Sequence, residues 1–166
     1  MSNYSRAEVQ PQPWNGNPPS ITTSQAALTT DKSAATVNAL ATAKTAIIQP
    51  DEGTVAMEMR FRVDGSDGDS NVLELYAMCD PDGAGDHYTR IATLTLTAGT
   101  QVDANSYLFC DTVVITNEFY MDDIIPLSNA GNGIASVALN LQGHTHFLLI
   151  ASTLNSTGVY VDWRQI

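Results

Sequence analysis

From Thr54 to Asp64 the apolar residues Val55, Met57, Met59, Phe61 and Val63 alternate with Ala56, Glu58, Arg60, Arg62 and Asp64. Apolar positions at a period of two predict a half-buried strand with one wet face. The turn chemistry of Gln49-Pro50-Asp51-Glu52-Gly53 precedes it, so Ile47–Gln49 is expected to pair back as an antiparallel strand. Asn71–Cys79 alternates in the same way, with Leu73, Leu75, Ala77 and Cys79 on one face. His87–Thr97, Tyr107–Thr116 (running on to Met121), Ile134–Leu141, Thr145–Leu154 and Val159–Arg164 complete a set of eight strands. Gly/Asn/Asp-rich segments such as Ser128–Gly133, Gln142-Gly143-His144 and Asn155–Gly158 separate them, and Ala98–Ser106 reads as a connection. Within Thr145–Leu154, Phe147, Leu149 and Ala151 share one face while Leu148 and Ile150 share the other. Apolar residues on both faces predict a central strand, or one covered by another subunit.

Short strands spaced by turns, with no helix from residue 47 onward, predict an all-β fold. The expected architecture is an antiparallel jelly-roll-like β-sandwich over residues 47–166, preceded by an extended N-terminal arm. That arm, residues 1–20, carries Pro11, Pro13, Pro18 and Pro19 among Asn, Gln and Ser, and proline fixes φ and removes donors. Trp14 is its one large apolar group, either a stray aromatic on a disordered tail or a partner-binding anchor that docks on a neighbour. Residues 21–46 are rich in Ala, Thr and Ser and form a linker or first strands. Val37, Leu40, Ala41 and Ile48 would share a helical face, and Val37, Ala39, Ala41, Ala43, Thr45 and Ile47 a strand face. Pattern does not decide between them, and the frequent β-branched Thr leans towards extended structure.

At 166 residues the chain suits one domain able to bury a core without metal or disulfide staples. Its net charge is −11, but unevenly spread: residues 1–50 carry +1 and residues 51–166 carry −12, with no lysine after Lys44. Phosphate binding needs clustered cations, so nucleic acid and anionic membrane are not expected partners of the body. No apolar run reaches the ~18 residues of a membrane helix, and residues 1–20 lack the apolar stretch of a secretory leader. Cys79 and Cys110 read as two reduced thiols within strands, or as one disulfide between neighbouring strands. Synthesis in a reducing cytoplasm fits that usage.

Two acidic loops are the strongest candidates for a site. Asp64, Asp67, Asp69 and Asn71 could offer several of the oxygens that Ca²⁺ requires. Asp80, Asp82 and Asp86 resemble half of an EF-hand loop, but Ala84 stands at the fifth position and Ile91 at the twelfth. The two loops bracket one strand and so belong at opposite ends of the body. Asp and Gly are also ordinary turn residues, which is the simpler account of both. His144-Thr145-His146 puts two imidazoles on one side of a strand, a geometry able to hold Zn²⁺ or Ni²⁺, though no third ligand is identifiable. Those histidines, and the isolated His87, read more simply as exposed side chains. Asp122 and Asp123, being adjacent in a strand, point to opposite faces and make a poor acid–base pair. Tyr76, Tyr88, Tyr107, Tyr120 and Tyr160 could line a sugar-stacking face or an ordinary protein contact. Motifs of the form G-x-S-x-G, G-x-x-x-x-G-K-[ST], H-E-x-x-H and G-x-G-x-x-G are absent from the sequence. Neither an enzyme nor a cofactor is expected.

Edge strands without lysine guards are safer when a neighbouring copy covers them, so a homo-oligomer is expected. In layout the chain resembles the small β-sandwich proteins that decorate or cement the capsids of tailed bacteriophages. The likeness spans the arm with Asn15–Pro19, the Ala/Thr-rich stretch and the acidic body ending in Val159–Trp163. The resemblance implies a virion structural protein, a homo-oligomer such as a trimer, that binds the major capsid protein or another virion protein. The competing expectation is a carbohydrate- or receptor-binding module of a tail fibre or similar, and a third is a subunit of a tube or filament.

Overall fold

The computed structural model describes Trp14 and residues 20–22, 31–33, 45–78, 87–117, 124–128 and 133–166. Most of the residue 1–20 arm, Cys79, the Asp80–Asp86 loop, Tyr120 and Asp122-Asp123 lie outside the described residues. All regular structure among the described residues is β: β1 (Ser20–Ile21), β2 (Asp31–Ser33), β3 (Thr45–Ile48), β4 (Ala56–Asp64), β5 (Ser70–Met78), β6 (His87–Val102), β7 (Leu108–Asn117), β8 (Ile124–Ser128), β9 (Ser136–Asn140), β10 (His146–Thr153) and β11 (Gly158–Gln165).

Every pairing is antiparallel, and one row of strands runs β1-β11-β4-β7-β6-β5-β10-β3. Its two ends, β1 and β3, pack against each other, so the sheet is nearly closed into a barrel-like shape. β4 is the branch point. One of its edges pairs with β11 from Met57↔Gln165 to Asp64↔Gly158. Its other edge is shared, with β7 at Arg62 and Val63 and with β9 from Ala56 to Arg60. The β8–β9 hairpin thereby fills the gap where β7 leaves β4.

The alternation in the sequence sets which side chains enter the barrel. Met57, Met59, Phe61 and Val63 of β4 are fully buried, as are Leu73 and Leu75, Leu94 and Leu96, Phe147 and Leu149, and Val159 and Val161 of their neighbours. Burying each such side chain contributes about 1.5–3 kcal/mol. Bulges in β5–β6, β6–β7 and β10–β5 add the local twist that bends a sheet round on itself. A second, smaller cluster lies on the opposite face of β5 and β10, where Tyr76, Met78, Tyr88, Leu148 and Ile150 are buried. The chain therefore buries both faces of β10 by itself, and β10 is paired on both edges, with β5 and with β3, next to the end of the row. The Glu74 carboxylate buried on that second face accepts hydrogen bonds from Tyr76 Oη at 2.6 Å and Arg90 Nη1 at 3.2 Å.

Two stretches differ from the sequence reading. β6 continues through Ala98–Val102 instead of ending at Thr97, because Gly99 lets the backbone pass close to Asp111. A Cβ there would lie 2.7 Å from that side chain. β8 was not expected, since its five residues contain Pro126, which marks edge strands and weakens any strand pattern.

Tight turns join the strands. Gln142 and Gly143 both have positive φ, at 47° and 81°, and His144 N–H donates to Leu141 O at 2.7 Å, as a type I′ hairpin turn requires. At the other end of the barrel the Asp64–Asn71 turn is tied to the β10–β11 turn. The fully buried Asn71 accepts at Oδ1 from the N–H groups of Asn155 (2.8 Å) and Ser156 (3.1 Å), and donates through Nδ2 to Ser156 Oγ (3.0 Å). Asn71→Ala strands those donors in a buried site and is expected to lower the unfolding free energy by about 2–3 kcal/mol, read by urea denaturation.

Candidate functional site

The outer face of β4 and β11 gathers three of the four arginines that follow residue 50. With Met, Phe and Val directed inward, Glu58, Arg60 and Arg62 of β4 point outward, as do Tyr160, Asp162 and Arg164 of β11. The antiparallel register sets Glu58 opposite Arg164, Arg60 opposite Asp162 and Arg62 opposite Tyr160. Opposite charges therefore face one another across the two strands, which favours this register over its neighbours.

The pairing is dense and mostly dry. Arg62 grips Asp162 with two bonds, Nε to Oδ2 at 2.8 Å and Nη2 to Oδ1 at 3.0 Å. Arg60 Nε adds a third to Asp162 at 3.2 Å, and Arg164 Nε donates to Glu58 Oε2 at 2.6 Å. The remaining arm of Arg62 reaches Asp103, in the β6–β7 hairpin, through Nη1. Asp162 is only 4% exposed, so these partners take the place of water around its carboxylate. Burial alone would push the Asp103 carboxyl up. The N–H groups of Tyr107 and Asn105, with the Arg62 guanidinium, outweigh that and hold it below the ordinary range. Burial likewise works against the Arg62 charge, and the two carboxylates raise its pKa in spite of it.

Aromatic rings cover the guanidinium planes. Trp14, half-buried, lies over both Arg60 and Arg164, with ring-centre distances of 4.1 and 4.6 Å. Phe109 sits 5.2 Å from Arg60, and Tyr107 and Tyr160 sit 5.3 and 5.7 Å from Arg62. The two tyrosine rings touch each other at 4.5 Å between centroids. A hydrogen bond with Tyr107, then burial, pushes the Tyr160 phenol up to about 12. Flat rings stacked on fixed guanidinium groups supply recognition chemistry, each stack contributing about 0.5–2 kcal/mol.

The other sequence candidates are dispersed. Asp64 and Asp67 are exposed, Asp69 Oδ2 accepts from Ser66 N–H (2.8 Å) and Ser156 Oγ (3.2 Å), and the Asn71 amide is spent on the adjoining turn. Their geometry is that of a stapled turn. His144 and His146 line one wall of a cleft of about 530 Å³ between the β3–β4 and β9–β10 turns, and burial lowers the pKa of both. Among the described residues no three His, Cys, Asp or Glu side chains are grouped to hold a metal ion. Tyr76 and Tyr88 belong to the second cluster, apart from Tyr107 and Tyr160. His87 opens β6. Cys110 is free and buried, its thiol pushed up to about 12 by burial and then by the Asp111 charge.

Comparison with family models, curated proteins and solved structures finds no match for this chain.

Two measurements check the charge ladder. Asp162→Asn leaves the Arg62 guanidinium half-paired in a buried site and is expected to cost about 3–5 kcal/mol of stability in chemical denaturation. The folded chain holds the Tyr160 proton more tightly than the unfolded one, so stability is full below pH 10 and falls as pH rises towards about 12. An ultraviolet phenolate titration is expected to show that late midpoint, and Tyr107→Phe to move it down.

Proposed function

We propose that this chain is a non-catalytic virion structural protein, a capsid decoration or cement subunit that assembles with copies of itself and binds the capsid surface. The observation that carries the reading is Trp14 seated on Arg60 and Arg164. It ties a proline-rich N-terminal segment to the outside of a barrel whose interior is already filled. Trp, Tyr and Arg are the residue types that dominate protein contacts, and they are concentrated on this one face. In this reading the barrel is a jelly-roll-like sandwich and residues 1–20 are an extended arm. The stacking site is filled by the Trp14 of the same chain or of a neighbouring copy, since exchange of a terminal element between copies needs no new contact. Ile125 and Leu127, about half exposed on the edge strand β8, add apolar surface that assembly would cover.

The same features suit a homo-oligomer, such as a trimer, whose partner is the major capsid protein or another virion protein. Undecorated tailed-phage capsids are expected to take up the purified protein. Deleting residues 1–20, or Trp14→Ala, is expected to weaken that uptake. Sedimentation at micromolar concentration is expected to show the oligomer. A compact monomer that no capsid takes up would overturn the proposal.

A further inference from the structure

Trp14 and β1 hold the N-terminal segment to the barrel at two separate points. Outside, Trp14 lies on the guanidinium groups of Arg60 and Arg164. Inside, Ile21 is fully buried in the core, and Ser20 and Ile21 pair with Tyr160 and Val159 of β11. Beyond Tyr160 that edge of β11 pairs with no strand among the described residues.

The seat under Trp14 is held by the barrel alone. Arg164 donates to Glu58 through both Nε and Nη2, and Arg60 donates through Nε to Asp162. None of these bonds involves the N-terminal segment. A ring stacked on two guanidinium groups is recognised by its shape and its electrons, whichever copy of the chain supplies it.

Charge selects the face on which two copies can meet. A second copy has the same net charge of −11 and is repelled wherever acids are exposed. Asp51 and Glu52 are exposed in the β3–β4 turn at one end of the barrel, Asp64 and Asp67 in the β4–β5 turn at the other. On the β4–β11 face Arg60, Arg62 and Arg164 are instead matched by Glu58, Asp103 and Asp162. Residues 1–22 contain Arg6 and Glu8 and no other charged side chain, so the segment is neutral as well. A neutral segment on a locally neutral face is the contact that two acidic bodies oppose least.

The chain also has the reach. Pro11, Pro13, Pro18 and Pro19 fix their own φ and drive the residues before them to extended conformations, which favours projection over coiling back. Nine residues separate β1 from β2, enough to carry β1 roughly 30 Å at ~3.3 Å per residue.

We infer that Trp14 and β1 are exchanged between copies: Trp14 of one copy sits on Arg60 and Arg164 of a second, and its Ile21 fills the same core position there. Every contact of the single chain is kept, so exchange links the copies without a new interface. This exchange rests on the oligomer part of the assembly reading and names the segment that makes the oligomer.

The test uses isotope-labelled Trp14→Ala chain, whose seat is vacant, incubated with a rising excess of unlabelled intact chain. The Arg60 and Arg164 Nε–H resonances are followed by NMR, and labelled intact chain gives their positions under the ring. Exchange is expected to move both resonances saturably towards those positions. Arg164→Lys in the labelled chain keeps the charge beside Glu58 but removes the flat surface, and is expected to weaken the Arg60 response about fivefold, the loss of one stack. Resonances unmoved at every mixing ratio would overturn the inference, because Trp14 then stays on its own barrel. So would the same movement produced by unlabelled Trp14→Ala chain, or identical resonances in the labelled intact and Trp14→Ala chains. An oligomer in sedimentation without this response sinks the exchange and leaves the assembly reading standing. Exchange in a chain that no capsid takes up supports the inference and counts against the capsid role alone.

Discussion

The register between β4 and β11 carries the rest of the structure. The same eight residue pairs that close this side of the barrel also decide which side chains face inward and which face out. A slip of one residue would turn Met57, Met59, Phe61 and Val63 towards solvent and drive Glu58, Arg60 and Arg62 into the core. The outer face resists such a slip independently, because only the observed alignment sets Arg60 and Arg62 beside Asp162 and Arg164 beside Glu58. Apolar burial supplies most of the energy of this pairing, and the charges supply its selectivity.

That division explains why an expensive arrangement is tolerated. Drawing Arg62 and Asp162 out of water costs several kcal/mol per ion, and their attraction roughly returns it. An all-apolar outer face would serve stability as well, but would expose a sticky sheet on an acidic molecule. The ladder keeps the face locally neutral while leaving rigid guanidinium planes on which Trp14, Phe109, Tyr107 and Tyr160 lie. Rigidity is shared with the histidine cleft at the far end, whose walls are likewise fixed by bonds that reach across the sequence.

The fold was legible wherever the strand pattern was strong. β4, β5 and β11 follow directly from period-two alternation, β10 from a run that is apolar on both faces, and the β9–β10 turn from Gln142-Gly143. β8 was not, because a five-residue edge strand containing Pro126 has too little pattern to stand out. The arginine face was half legible. Arg60 and Arg62 were readable as one wet face of a strand, but a single strand does not reveal its neighbour. Laying Glu58–Arg62 antiparallel to Asp162–Arg164 would have matched the charges pair by pair. The acidic turn drew attention through composition, whereas the partners that engage Asn71 lie more than eighty residues away and leave no local trace.

The separation along the chain between β4 and its partner has a kinetic side. β4 meets β11 across about a hundred residues, and β3 meets β10 at a similar distance. Folds dominated by such remote pairings assemble slowly, because loop-closure entropy is spent before the contacts return it. During synthesis β4, β5 and β6 emerge early, with their inner faces apolar and the closing strand still to come. Locally paired β5, β6 and β7 can gather first, but one edge of β4 stays open until β11, the last of the strands, pairs with it. An aggregation hazard is thereby built into the order of emergence, because an unpaired strand edge and apolar inner faces stay exposed until β11 docks.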